Sequence, residues 1–336
     1  MHAARFLLRR LVYLLVQLWG VATIAFFLVH LIPGNPAQAL AGSGANAKSI
    51  RGIEHQLGFD KSLPEQYGLY LWNLVHGNLG DSIFTGQTVL HDLQQRLPAT
   101  LELVTAAMLI SVVVGVPLGI YVGLKQTGIG SRIAFVYGML TGALPDFWLG
   151  LVLIFVFFYL LHWAPAPLGQ LDAVESAPPH VTGVFVIDAL VSGEWGLFMS
   201  AVGHLVLPAL TLVLVYMGNI VKMARSSMSE AMQSGYVEHA RAIGLPNSVV
   251  LRYAVRNALA PVVTVIAFTY GFLLGGAVLV ETVFSWGGLG QYAVQSITNS
   301  DYFAITGFVL AAALFMAVIY LLLDVIYAIL DPRIEY

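Results

Sequence analysis

Apolar residues fall along this chain in six blocks of spanning length, about 10–32, 101–124, 133–162, 204–224, 261–283 and 304–330. Each is near the roughly 20 residues that a helix needs to cross about 30 Å of hydrocarbon. The pattern predicts an all-α polytopic membrane protein with six transmembrane helices, which puts both ends on one side. The first block invites a second reading, because Arg5, Arg9 and Arg10 before it and Ala37 and Ala39 after it imitate a cleavable leader. Leu11 to Ile32 is too long for the apolar core of such a leader, roughly 7 to 15 residues, so a retained first helix is expected.

The polar segments between the blocks have their own punctuation. Ile32-Pro33-Gly34-Asn35-Pro36 is an abrupt helix exit. It opens an outer region, 33–97, in which Ala41 to Asn46 is flexible by composition. A helical stretch near Ile50–Leu57, a turn at Gly58-Phe59-Asp60 and a helix with Tyr67, Tyr70, Leu71 and Leu74 on its apolar side follow. Gly77-Asn78-Leu79-Gly80-Asp81-Ser82 closes that region. Loops this long without a function are uncommon.

Pro98 is expected at the start of the second span, whose Gly115, Gly119 and Gly123 suit close helix packing in lipid. The third span carries Pro145, where a kink is expected, and Asp146, a carboxylate that costs about 2.5 kcal/mol or more at mid-membrane unless it faces water or a partner. His30, near the end of the first span, reads as a packing residue. A second outer loop, Trp163 to Gly203, holds four prolines, Asp172, Glu175, Asp188 and Glu194, and neither Lys nor Arg. Thr264 and Thr269 put hydroxyls into the fifth span, which exits through Glu281 into Trp286-Gly287-Gly288-Leu289-Gly290.

Composition agrees with the blocks. Hydrophobic residues make up 58% and charged residues 10% of 336, where soluble domains carry about 25% charge. Basic residues set the orientation. With the N-terminus cytoplasmic, Arg5, Arg9, Arg10, Lys125, Arg132, Lys222, Arg225, Arg241, Arg252, Arg256 and Arg333 lie inside, and Lys48, Arg51, Lys61 and Arg96 outside. That bias places both termini in the cytoplasm. The net charge of -3 suggests no nucleic-acid surface. The absence of Cys excludes disulfides, thiol nucleophiles and Cys-ligated metals.

One long polar stretch, Ser234 to Pro261, sits between two apolar blocks on the cytoplasmic side. It reads as two short helices joined by a turn. Tyr236 to Ile243 keeps Val237, Ala240 and Ile243 near one face, with Ser234 as N-cap and Gly244 as the breaker. Leu245-Pro246-Asn247-Ser248 then stops one helix and starts the next.

The run Tyr236-Val237-x-x-Ala240-Arg241-Ala242-x-Gly244-Leu245, followed by Arg256-Asn257-Ala258-Leu259-x-Pro261, resembles the cytoplasmic loop of ABC-importer permeases, and more narrowly of the dipeptide/oligopeptide branch. The exit after His30, the Gly77–Ser82 motif, Pro145-x-Phe147-Trp148, the Glu281–Gly290 segment and Asp331-Pro332-Arg333 are similar to the same family, in order, over about residues 5–335. Members commonly carry Pro where this chain has Gly287, from which a looser turn is expected.

The resemblance implies a type I ABC-importer permease fold in the bacterial inner membrane: a tail and first helix (1–32), an extracytoplasmic loop domain (33–97), a five-helix core (98–330) with its coupling loop (222–260), and a cytoplasmic tail (331–336). It implies a transport subunit with no catalytic residue and no metal or cofactor of its own, ATP and Mg being held by partner subunits. The implied partners are a second homologous permease, two ATPases and an extracytoplasmic substrate-binding protein. Tyr236, Glu238, Ala240, Arg241, Gly244, Leu245, Arg256 and Asn257 are the implied coupling residues. Asp146, Thr264, Thr269 and Glu281 are candidates for the pathway or its outer gate. Dipeptides are the expected cargo, a leaning carried by Thr182-Gly183 and Ile187-Asp188 in the outer loop, with nickel chelates or haem as alternatives.

The competing class is a self-contained secondary transporter or intramembrane hydrolase. Such a transporter should show symmetric halves and buried ionisable groups at mid-membrane, which the charge distribution does not. His-Glu-x-x-His, Gly-x-Ser-x-Gly and a phosphate-binding Gly-rich loop ending in Lys-Ser/Thr are all absent from the sequence.

Overall fold

A computed structural model describes residues 2–31, 46–58, 60–125 and 127–330. The expected exit at Ile32–Pro36, most of Ala41–Asn46, Phe59 and the closing Asp331–Arg333 lie outside the described residues. Those described form helices joined by turns, with one isolated bridge between Asp81 and Thr88.

In chain order the helices are α1 (His2–Leu31), α2 (Ala47–Leu57), α3 (Leu63–Val75), α4 (Val89–Leu124), α5 (Ile129–Leu140) and α6 (Asp146–Leu153), which continues as a π-helix (Ile154–Leu160). There follow α7 (Phe185–Ser192), α8 (Trp195–Met232), α9 (Gly235–Ala242), α10 (Asn247–Val283), α11 (Leu289–Thr298) and α12 (Tyr302–Leu330). Five of them contain stretches long and apolar enough to cross a membrane: Arg9–Leu28, Val89–Leu124, Trp195–Met232, Asn247–Val283 and Tyr302–Leu322.

The sixth apolar block differs from expectation. In place of one kinked span over 133–162, the chain breaks between Leu140 and Asp146. Gly142 takes φ +78, a left-handed conformation that ends a helix, and Pro145 brings no N–H to carry it on. The other helices run longer than their apolar blocks. Pro98 and Pro261 are inside α4 and α10 rather than at their starts, because the polar turns before them are helical too. Hydropathy marks where a helix meets lipid, not where it begins.

The chain divides into two compact units. The first takes the described residues up to Leu97 together with Gln291–Leu322. In it α3 begins with a capping box, the Ser62 N–H and hydroxyl both donating to Glu65. Its half-buried face is Gln66, Tyr67, Tyr70, Leu71 and Leu74. That face meets α1: the hydroxyls of Thr23 and Tyr67 are 2.7 Å apart, and His30 Nε2 is 3.0 Å from Gln66 Oε1. The ring of Phe26 lies beside Tyr67 and Tyr70.

Two buried carboxylates tie the rest of this unit. Asp301 accepts from the Ser82 hydroxyl (2.6 Å) and the Phe84 N–H (3.1 Å), and caps α12 by accepting from the Ala304 N–H. Asp92 accepts from Thr85 and from the Tyr292 hydroxyl. Gly80, at φ +83, seats the ring of Phe303 where any Cβ would come within 2.5 Å of it. The Gly77–Ser82 motif is thus an anchor for the start of α12.

The second unit runs from Pro98 to Gly290 and takes in, among the described residues, 323–330. Its core is α8 against α10 and α4, where Leu103, Leu212, Ile220, Leu273 and Val280 are fully buried. The α4 glycines face α8. A Cβ at Gly115 would be 2.8 Å from Met217, at Gly119 2.5 Å from the Ala224 Cβ, and at Gly123 2.8 Å from the Arg225 carbonyl. On α8 itself, Gly218 leaves room for Thr141.

Gly119→Leu, with no room beside Ala224 and the Val221 carbonyl, should destabilise the unit by about 2 kcal/mol or more. Thermal unfolding in detergent should show a lower midpoint, whereas Gly130→Ala on α5, which meets only one ring carbon at 3.9 Å, should leave it unchanged.

Candidate functional site

The polar stretch after α8 folds largely as the sequence predicts. α9 begins after Ser234, although the Ser234 hydroxyl donates backward to the Ala231 carbonyl (2.5 Å) instead of capping α9. It ends at Gly244, φ +79, where the Gly244 N–H donates to Arg241 and the Leu245 N–H to Ala240. Its apolar side is Val237 and Ala240, buried in a small core with Met228, Ala231, Val250, Ala254 and Ala258. Leu245 packs at the edge of that core. Ile243, predicted on the same face, is 61% exposed, because the reversal at Gly244 turns it outward.

The second predicted short helix is the first part of α10, which continues to Val283 without a break. Tyr236, Glu238, Arg241 and Ile243 therefore stand exposed on a helix held from beneath, with Arg256 and Asn257 exposed on α10.

The pathway candidates lie in three environments. Asp146 heads α6, its Oδ1 accepting the Phe147 N–H at 2.8 Å, a carboxylate on the positive end of the helix dipole. Its Oδ2 accepts from the Tyr216 hydroxyl of α8 at 3.4 Å. Gly276 of α10 makes room for the pair, since a Cβ there would run into the Tyr216 hydroxyl. Thr269 is buried beside a cleft between α8 and α10, and Thr264 bends back to the Ala260 carbonyl at 3.4 Å.

Glu281 is fully buried at the end of α10. Its Oε1 accepts from Thr100 (2.6 Å) and its Oε2 from the Gly290 N–H (2.8 Å). Gly288 and Gly290 exist to let it in: a Cβ on Gly288 would come within 2.5 Å of the Glu281 and Thr100 oxygens. The intervening turn is tight rather than loose. Trp286 donates its N–H to the Glu281 carbonyl and its indole N–H to the Ala99 carbonyl, and Gln170 donates to the Trp286 carbonyl. Gly287 has φ +82, which Pro, fixed near −65°, cannot adopt. The glycine is what this turn requires.

Sequence reasoning passed over Tyr216, Asn219 and Lys222 on α8. Their three-residue spacing within an apolar block was the available signal. It also missed what Thr182-Gly183 and Asp188 do. Buried Asp188 accepts from the N–H groups of Val181, Thr182 and Gly183 and from the Thr182 hydroxyl, all at 2.7–3.3 Å. Burial pushes its carboxyl up, but the Thr182 hydroxyl and those three N–H groups outweigh burial and hold it below the usual carboxylate value. Glu102 of α4 accepts the Val186 N–H at the start of α7. This motif braces the segment that leads into α7. Among the described residues no group of His, Asp or Glu could hold a metal ion.

Two tests follow from this geometry. Gly287→Pro should lower the unfolding midpoint more than Gly287→Ala, whose cost is the roughly 1–2 kcal/mol of a left-handed conformation. Asp188 is held low, so its contribution persists at neutral pH and is lost only as pH falls through that lowered value. Asp188→Asn should accordingly raise protease cleavage within 163–203 at pH 7, and acid should narrow the difference from the parent chain.

Comparison with known proteins agrees. Residues 115–336 match the family described as binding-protein-dependent transport system inner membrane component, and residues 3–104 its N-terminal counterpart. The chain is 42% identical to the probable D,D-dipeptide transport system permease protein DdpB of Escherichia coli (strain K12), over 94% of this chain and 93% of that one. It is 39% identical to the di/tripeptide transport system permease protein DppB of Pseudomonas aeruginosa (strain UCBPP-PA14), over 98% of each. It is 37% identical to the dipeptide transport system permease protein DppB of Alkalihalophilus pseudofirmus, again over 98% of each. The chain belongs to the inner-membrane permeases of binding-protein-dependent transport systems, the ABC importers.

Proposed function

We propose that this chain is one of two permease halves of an ATP-driven importer of dipeptides or short peptides. It pairs with a second homologous permease, is driven by two ATPases and receives cargo from an extracytoplasmic binding protein. The observation that carries the reading is α9, whose buried Val237 and Ala240 fix it to the membrane unit while Tyr236, Glu238, Arg241 and Ile243 face outward. A short exposed helix on a rigid base suits insertion into a groove of another protein, with Glu238 and Arg241 setting register by charge. Ala240 and Leu245 support it from below, and Arg256 and Asn257 extend the contact along α10.

Both termini and α9 are read as cytoplasmic from the basic residues. ATP and Mg belong to the ATPase partners, since this chain has no phosphate-binding Gly-rich loop. Region 33–97 is read as the dock for the binding protein. Peptide cargo is supported by the relatives, whose names specify D,D-dipeptide, di/tripeptide and dipeptide transport.

The test is the assembled importer in proteoliposomes with its binding protein. Arg241→Glu should cut Ala-Ala uptake by about tenfold or more, the worth of one charge-assisted contact, with membrane insertion unchanged. Gly244→Val, in open space within this chain but strained at φ +79, should do the same. Normal uptake in both variants would overturn the coupling role, and a chain that purifies alone and transports without ATP would overturn the importer.

A further inference from the structure

The α8 face that holds Asp146 continues toward the α9 end of the helix. Tyr216, Asn219, Lys222 and Ser226 recur at spacings of three, three and four, which keeps them on one side of a helix. Asn219, Lys222 and Ser226 line a cleft of about 470 Å³ against Phe268, Thr269 and Phe272 of α10. Lys222 and Ser226 also line a cleft of about 990 Å³ against α5, so they form the ridge between the two.

Lys222 is seated rather than dangling. A Cβ at Gly138 of α5 would be 3.0 Å from Lys222 Cε and 3.4 Å from its Cγ, so the stem lies across that glycine. Among the described residues Lys222 has no ion-pair partner, and the smaller cleft has no acidic lining residue. In the larger one the single acid, Glu230, is two turns further along α8. At the α9 end of the apolar block 204–224, an ammonium with no acidic neighbour in the smaller cleft is available to an anion.

We propose that Lys222, between Asn219 and Ser226 on this ridge, takes the carboxylate terminus of the peptide as it passes, while Asp146, positioned by Tyr216, takes the amino terminus. The spacing suits a short zwitterion. Tyr216 and Lys222 are six positions apart, about 9 Å along α8, and an extended dipeptide spans about 7 Å, leaving the difference to side-chain reach. Asn219 stands between them to meet the peptide bond. The inference rests on the importer reading and adds the two charges that recognise its cargo.

The absence of Cys from this chain makes the test direct. In the complete importer, reconstituted with its binding protein, Lys222→Cys should lower Ala-Ala uptake by about tenfold, one charge-assisted hydrogen bond, while the binding-protein-stimulated ATPase rate persists. An aminoethyl thiosulfonate, which rebuilds a cation on that sulfur, should restore uptake. A sulfonatoethyl thiosulfonate should not, and the unsubstituted complex treated with each reagent sets the baseline. Lys222→Arg should transport nearly as the parent does.

Equal uptake by Lys222→Cys in the untreated, cationic and anionic forms would overturn the proposal and leave Lys222 as a side chain reaching for lipid headgroups. Failure of the importer reading would look different, since the unsubstituted complex would then import no Ala-Ala at all.

Discussion

Helices in lipid gain nothing from hiding apolar surface from one another, so their association depends on how closely their backbones approach. In this chain that constraint is met at the α4 and α8 contact. Gly115, Gly119 and Gly123 bring α4 so near that a methyl group at Gly119 would sit 2.5 Å from the Ala224 Cβ. Gly218 does the same for Thr141, and Gly276 for Tyr216. With α8 fixed in this way, Tyr216 can reach Asp146, Lys222 can lie across Gly138, and α9 can emerge from a fixed base.

The same economy governs charge. Glu281, Asp188, Asp92 and Asp301 are all buried, and hydroxyls, joined by backbone N–H groups at all but Asp92, donate to them. These carboxylates act as staples at chain reversals, where exposed amide groups would otherwise go unmatched. Asp146 and Lys222 are different. Asp146 is held by one backbone N–H and a 3.4 Å bond from Tyr216, and Lys222 lines two open clefts, which separates the groups that hold the fold from those suited to cargo.

Much of this was legible in the sequence. The apolar blocks, the face of α3, the Gly244 stop and the glycine packing of α4 all follow from periodicity and from residues whose backbone demands are strict. Helix ends were less legible, because Pro98 and Pro261 are sequence signals for a start and the structure accommodates both inside helices. Gly287 misled in another way. Absence of Pro suggests slack, yet only the conformation at φ +82 tells that Pro was excluded. Glu281 drew notice as a lone acid at a span end, but its partners Thr100, Gly290 and Trp286, 181, 9 and 5 positions away, were not foreseen. No local pattern could reveal them.

α8 and α10 flank α9 as unbroken rods of 38 and 37 residues, each about 55 Å long at helical rise. A helix resists compression far better than a loop resists bending, so a displacement of α9 has little slack in which to dissipate. It would reappear at the far ends of both rods, beside Trp195 and at the Glu281 staple. The interruption between Leu140 and Asp146, next to Tyr216, is one non-helical joint of this unit. A thrust applied at one surface would thus act as a lever with a joint beside the acid proposed to meet the peptide.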